Sequence, residues 1–300
     1  TSELWRFSGV LDADGGVAGL GLGSVYVVAY TTPARWFRER SAAATGIAVS
    51  GTGVGIFAVP PAAHRAVLLV GWRRAYLLLL AVFLVVLAVS VLTFQRRPTV
   101  ADPADAQVPA ADATVALRSP LFGLVFLAYL CAFVPSYAVS VYLVEFALSV
   151  GLPRWTGVWA VSGFGLAGIG VKFATGPLSD RAGIAPVMAG FVTVMCLATI
   201  AVVTVPTQGG LLAAAVALGV GYGGVDALLA PLVRSLFGAD RLSSVFGAVT
   251  PAFGVVGGLT PIAVGVGFAR FGSFVLPFVL AAGVGAVAVI AFAGLAYFER

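Results

Sequence analysis

Charged side chains make up only 10% of this 300-residue sequence, against about 25% in an ordinary soluble domain. That scarcity excludes a water-facing globule. Histidine occurs once, as His64. A single imidazole leaves no His-x-x-x-His metal pair and no Ser-His-Asp triad, and no G-x-S-x-G elbow is present. Cysteine occurs twice, as Cys131 and Cys196, both inside apolar runs. Two such thiols and one histidine make neither a disulfide framework nor a credible metal site, and no cofactor is expected. The opening "TSELWRFSGVLDADGG" lacks the apolar core of a cleavable signal peptide. No GK[ST] follows the glycine runs "GLGLGS" and "GTGVG", so neither reads as a phosphate cradle.

What is present is apolar: 60% of the residues are hydrophobic. Nine runs approach or exceed the roughly 18–20 residues that cross a bilayer: 17–34, 42–62, 74–94, 120–148, 155–177, 184–205, 209–233, 243–268 and 273–297. A bare backbone amide finds no partner in hydrocarbon, so spans are helices or closed barrel strands. These runs lack the alternation of barrel strands. The expected fold is therefore an all-α, polytopic membrane helix bundle with the lipid bilayer as its partner and the cell (plasma or inner) membrane as its location. A single long polar stretch, "QRRPTVADPADAQVPAADATVALR", separates three spans from six. Its Pro, Asp and Ala content reads as a flexible linker. The expected organisation is a partial amino-terminal half over 1–94, a linker over 95–118 and a six-helix half over 119–300. The net charge of +5 resides mostly in arginines that punctuate the gaps between runs, which suits membrane orientation and not nucleic acid. With the linker in the cytoplasm, ten arginines fall inside, among them Arg35, Arg40, Arg181 and Arg241, and five outside.

"GLGLGSVYVVAYTTPARWFRERSAAATG" from Gly19 corresponds to "GVGYGGVDALLAPLVRSLFGADRLSSVFG" from Gly219. Gly19, Gly21, Gly23, Val25 and Phe37 match Gly219, Gly221, Gly223, Val225 and Phe237 at one offset. Such a duplication in one topological direction predicts two parallel halves. The second copy lies about 100 residues into its half, the first only 19 residues into the chain. The expectation is a twelve-helix plan in which this sequence supplies the last nine helices.

Twelve helices in two parallel halves joined by a cytoplasmic linker resemble the major facilitator superfamily, and three stretches carry the resemblance. "GPLSDRAG" (176–183) is similar to that superfamily's G-x-L-x-D-R-x-G turn. "RWFRERSAAATGIAVSGTGVG" (35–55) resembles the helix 4–5 signature of the monocarboxylate porter family, and "GWRRAY" (71–76) is similar to the Gly-Trp-Arg that opens helix 6 in many of those porters. The resemblance implies gating roles for Gly176, Asp180 and Arg181 in the turn, and for Arg35, Arg40 and Arg241 at the corresponding helix ends. Glycines at 51–55 and 254–258 are expected to let helices approach closely.

Charges at membrane depth are functional hypotheses by default. Lys172 lies about five residues from the expected end of its span, within reach of snorkelling. Alternatively it faces a central cavity and binds a carboxylate. The resemblance favours the second reading, since monocarboxylate porters carry an arginine four residues before the turn glycine, the position of Lys172 relative to Gly176. Asp226 lies near mid-span. It is either a structural partner of Lys172 or a proton-coupling carboxylate. Glu145 reads as interfacial or as an outer gate. Tyr26, Tyr30, Tyr137 and Tyr142 offer hydroxyls to the same cavity, and His64 falls in an outer loop. The resemblance implies secondary transport of a small organic anion, a monocarboxylate with a proton as symport partner, by a protein expected to act as a monomer. Two other readings stand beside it: an exporter of amphiphilic or drug-like compounds on the same fold, and a truncated, non-transporting membrane fragment.

Overall fold

The computed structural model describes residues 41–93, 117–238 and 241–298. Contacts divide the chain at Thr52/Gly53, and the architecture below is that of the second unit. Among the described residues the regular structure is helical throughout: α1 (Ser41–Val70), α2 (Trp72–Thr93), α3 (Pro120–Ser140), α4 (Leu143–Ser149), α5 (Arg154–Ala182), α6 (Ile184–Thr204), α7 (Gln208–Phe237), α8 (Leu242–Val249), α9 (Pro251–Phe271) and α10 (Val275–Leu295). Among the described residues, eight stretches are long and apolar enough to cross a membrane, α8 and α9 counting together as Ser244–Phe271. They coincide with eight of the nine runs expected above; the run at 17–34 lies outside the described residues, as does most of the amino-terminal copy of the glycine repeat.

Four boundaries differ from expectation. The run at 120–148 is interrupted: α3 ends at Ser140 and α4 begins at Leu143, with Tyr142 at its N-cap. The stretch 244–271 bends at Thr250–Pro251. Pro251 has no N–H to give the Gly247 carbonyl, while the Phe246 carbonyl accepts from both the Thr250 N–H at 3.0 Å and the Thr250 hydroxyl at 2.8 Å. Third, α5 does not stop near 177. It continues through Pro177, Asp180 and Arg181 to Ala182, so most of "GPLSDRAG" is the last turns of a helix. The chain turns at Gly183, whose φ of 87° is a conformation that glycine alone adopts without strain. At the α1–α2 junction the expected outer loop with His64 and Arg65 is likewise helical, and the break shrinks to Gly71.

Within the second unit α7 lies between α5 and α6, α10 packs on α3 and α6, and α9 packs on α3. Phe133, Met188, Met195, Leu218, Leu232, Phe278 and Phe292 are fully buried at these contacts. The membrane stretches of α1 and α2 bury almost nothing within the structure. Leu68, Leu69 and Leu92 stand exposed, as apolar side chains facing lipid would.

The glycines of "GVGYGGVD" explain how α7 fits between two neighbours. Gly219 and Gly223, four residues apart, face α5. A Cβ on Gly219 would strike the backbone of Phe164, and one on Gly223 would come within 2.7 Å of the Gly168 Cα. Gly221 and Gly224 face α6, where a Cβ on Gly221 would lie 2.6 Å from the Phe191 carbonyl oxygen. Small residues at four-residue spacing let helix backbones meet where no water drives association. Elsewhere Gly165 of α5 admits the α1 backbone, its Cβ position being 2.7 Å from the Phe57 nitrogen. Gly53 faces Ile169 in the same contact, whereas Gly51, Gly55, Gly254 and Gly258 have nothing within 4 Å. The close approach expected of 51–55 and 254–258 therefore comes down to Gly53 and to Gly257, which lies under the Tyr137 ring.

Candidate functional site

The α5–α7 seam runs Phe164 with Gly219, then Gly168 with Gly223. Both series ascend together, so the helices are parallel here. One turn further, α5 presents Lys172 and α7 presents Asp226. The seam has already drawn the backbones together, and the two side chains meet: Lys172 Nζ donates to Asp226 Oδ2 at 2.7 Å. Their side chains are only 13% and 8% exposed. Lys172 lies ten residues before the end of α5 at Ala182, and Asp226 eleven before the end of α7 at Phe237. At 1.5 Å per residue both sit about 15–16 Å from their helix ends. The sequence expectation placed Lys172 half as deep, because it ended the span near 177. α5 instead continues past that point to Ala182.

Oppositely charged groups at this depth satisfy one another where hydrocarbon offers nothing else. The arrangement has a chemical consequence. While Asp226 is ionised it holds Lys172. Protonation of Asp226 removes the negative partner and leaves a cation able to accept another anion.

Other expected site residues are placed differently. Tyr142 stands at the α3–α4 break, where its hydroxyl donates to the Pro261 carbonyl of α9 at 2.8 Å and lies over Gly265. It ties two helices together. Asp180 and Arg181 are exposed on the last turn of α5, and Gly176 lies in that helix with nothing within 4 Å of its Cβ position. Arg241 is the N-cap of α8. Glu145 is exposed in the first turn of α4. Tyr26, Tyr30, Arg35 and Arg40 lie outside the described residues. The sulfur of Cys196 and the ring of Pro135 both pack over Gly285, which accounts for that thiol as packing.

Of a group of aromatic rings gathered from α3, α5, α7 and α9, the sequence singled out only Tyr137. Phe133 meets Tyr222 at 5.3 Å and Phe253 at 5.1 Å, both edge-on. Phe164 lies 5.1 Å from Tyr222, and Tyr137 5.3 Å from Phe253. Two signals were available in the sequence. Tyr129, Phe133 and Tyr137 repeat every four residues, and Tyr222 precedes Asp226 by the same interval, a spacing that shares one helix face.

A bundle of bilayer-length apolar helices, closely packed through glycine and holding an ion pair between two of them, is the build of a polytopic membrane carrier. The model of the Major Facilitator Superfamily matches residues 13–261, and the chain belongs to that superfamily. Its fold is similar to that of FucP, a Major Facilitator Superfamily transporter solved in the outward conformation, with 17% identity and a TM-score of 0.53. The match covers 75% of this chain and 54% of that one, so the chain spans about half the length of that transporter. At such identity the likeness shows the fold alone. No curated protein matches the chain.

Proposed function

We propose that the chain works as a secondary transporter of a small organic anion, a monocarboxylate, carried together with a proton by alternating access. The observation that carries this reading is the 2.7 Å contact between Lys172 and Asp226 deep in the helices. A carboxylate substrate needs a cation, and Lys172 supplies one. That cation becomes free when Asp226 takes up a proton. Proton binding at Asp226 and anion binding at Lys172 therefore favour each other, and linkage makes the effect reciprocal. This is the coupling a symporter needs. The four-residue interval from Lys172 to Gly176, which resembles the monocarboxylate porters, supports the substrate class. Lysine lacks arginine's bidentate fork and fixes the carboxylate as a point charge.

In this reading 1–94 and 119–300 belong to two halves joined by the 95–118 linker, in a cell membrane, and the unit is a monomer. Asp180, Arg181, Gly176 and Arg241, with Arg35 and Arg40, contribute cytoplasmic contacts that break and re-form as the halves rock. Tyr26, Tyr30 and Tyr142 remain candidates for cavity hydroxyls, Tyr142 when its bond to Pro261 is released. The test is uptake of labelled lactate by proteoliposomes carrying the full chain under a pH gradient. Lys172→Ala is expected to abolish uptake. Normal transport by that variant would defeat the reading.

A further inference from the structure

Tyr222 of the aromatic cluster lies one turn before Asp226 on α7, and the anion–proton reading makes no use of the rings. Phe133 and Phe164 are 0% and 4% exposed and form a closed back wall. Tyr222 and Phe253 lean on that wall, Tyr137 leans on Phe253, and all three are only half-buried. The register links them to the charges. Tyr222 precedes Asp226 by one turn on α7, and Phe164 precedes Lys172 by two turns on α5. Rings and ion pair therefore lie along the same side of the seam. Four residues of helix separate Tyr222 from Asp226 by about 6 Å along the axis. Helical side chains also lean toward the N-terminus of their own helix. Because α5 and α7 are parallel, the Lys172 ammonium leans toward the rings.

We infer that the substrate is a carboxylate bearing an aromatic ring two or three bonds from its acid group. The carboxylate takes the place of Asp226 on Lys172, and the ring packs against Tyr222, Phe253 and Tyr137. The inference rests on the anion reading above and adds the substrate's body to its head. A two- or three-carbon acid would satisfy Lys172 and leave the ring surfaces unfilled. A ring about 6 Å from the acid group meets faces and edges already arranged for the tilted contacts that aromatic pairs prefer.

Lactate and 3-phenyllactate share a head group and differ by the ring, so they form the test pair. Uptake is measured in proteoliposomes of the full chain, above protein-free vesicles, with inward acid. The wild type is expected to half-saturate with 3-phenyllactate at about tenfold lower concentration than with lactate, the size of one or two aromatic contacts. Phe253→Leu keeps apolar bulk but loses the ring, and is expected to shrink that preference to about threefold or less, whereas Phe253→Tyr retains it. The preference is a ratio within one preparation, so a lower folded yield does not change it. Equal half-saturation for the two acids, or a preference untouched in Phe253→Leu, overturns the inference. Uptake of lactate without 3-phenyllactate overturns it while leaving the anion reading standing. Uptake of neither acid overturns both. Equal uptake of 3-phenyllactate by wild type and Lys172→Ala would also overturn the assignment of the head group to Lys172.

Discussion

Removing one member of the buried pair should harm the protein more than removing both. At the observed 2.7 Å, two unit charges attract by about 6 kcal/mol at an effective dielectric constant near 20. Most of that attraction offsets the cost of taking both groups out of water. Lys172→Met leaves the Asp226 carboxylate 8% exposed with its cation gone. A buried charge stripped of its partner costs about 3–5 kcal/mol, less if the carboxylate can neutralise itself with a proton. Asp226→Asn leaves the ammonium in the same position. The double variant Lys172→Met/Asp226→Asn removes both charges and should return to within about 1 kcal/mol of wild type, because similarly sized uncharged groups replace a pair whose gain and cost nearly cancel. The coupling energy across the cycle is then about 5–9 kcal/mol in magnitude, and smaller to the extent that a proton neutralises the stranded carboxylate. Detergent-solubilised full chain, unfolded by graded SDS and followed by tryptophan fluorescence, reads all four corners. Additive single effects, or a double variant weaker than either single, would refute the reasoning. Transport gives the contrast: the double variant should recover stability but not proton-driven uptake.

Asp226→Asn alone should leave whatever anion uptake persists insensitive to the pH gradient; uptake that still follows the gradient would remove Asp226 as the coupling group. Gly223→Leu should separate α5 from α7, because even a Cβ there would approach the Gly168 Cα to 2.7 Å, and the loss should appear as aggregated chain on size-exclusion chromatography. Gly254→Ala is its control: nothing lies within 4 Å of that position, and the variant should match wild type or gain up to about 1 kcal/mol of helix propensity in the same SDS titration. Tyr142→Phe removes the hydroxyl donated to the Pro261 carbonyl at 2.8 Å, a loss of about 1 kcal/mol. Wild-type SDS resistance in that variant would mean the α3–α9 tie contributes nothing.

By itself the sequence determined the class of fold. Bilayer-length apolar runs with so few charges leave helices as the sole solution in hydrocarbon, and the eight spans among the described residues fall where hydropathy put them. It also singled out Lys172 and Asp226, because a lone charge in an oily run is conspicuous at any spacing. What hydropathy could not see were the interruptions. The break at Tyr142 and the extension of α5 to Ala182 are set by local backbone hydrogen bonds such as Tyr142 N–H to Val139 and Gly183 N–H to Ser179, and a window average of side-chain character carries no such information. Only the tertiary structure decided that Lys172 and Asp226 touch. Fifty-four residues separate them in the chain. Contact follows from the way Gly219 and Gly223 let α7 settle onto Phe164 and Gly168 in parallel register. The same packing gathers Phe133, Phe164, Tyr222 and Phe253 from four helices into one cluster. Side-chain chemistry is written residue by residue, whereas proximity is a property of helix faces, and faces acquire neighbours only when the bundle closes.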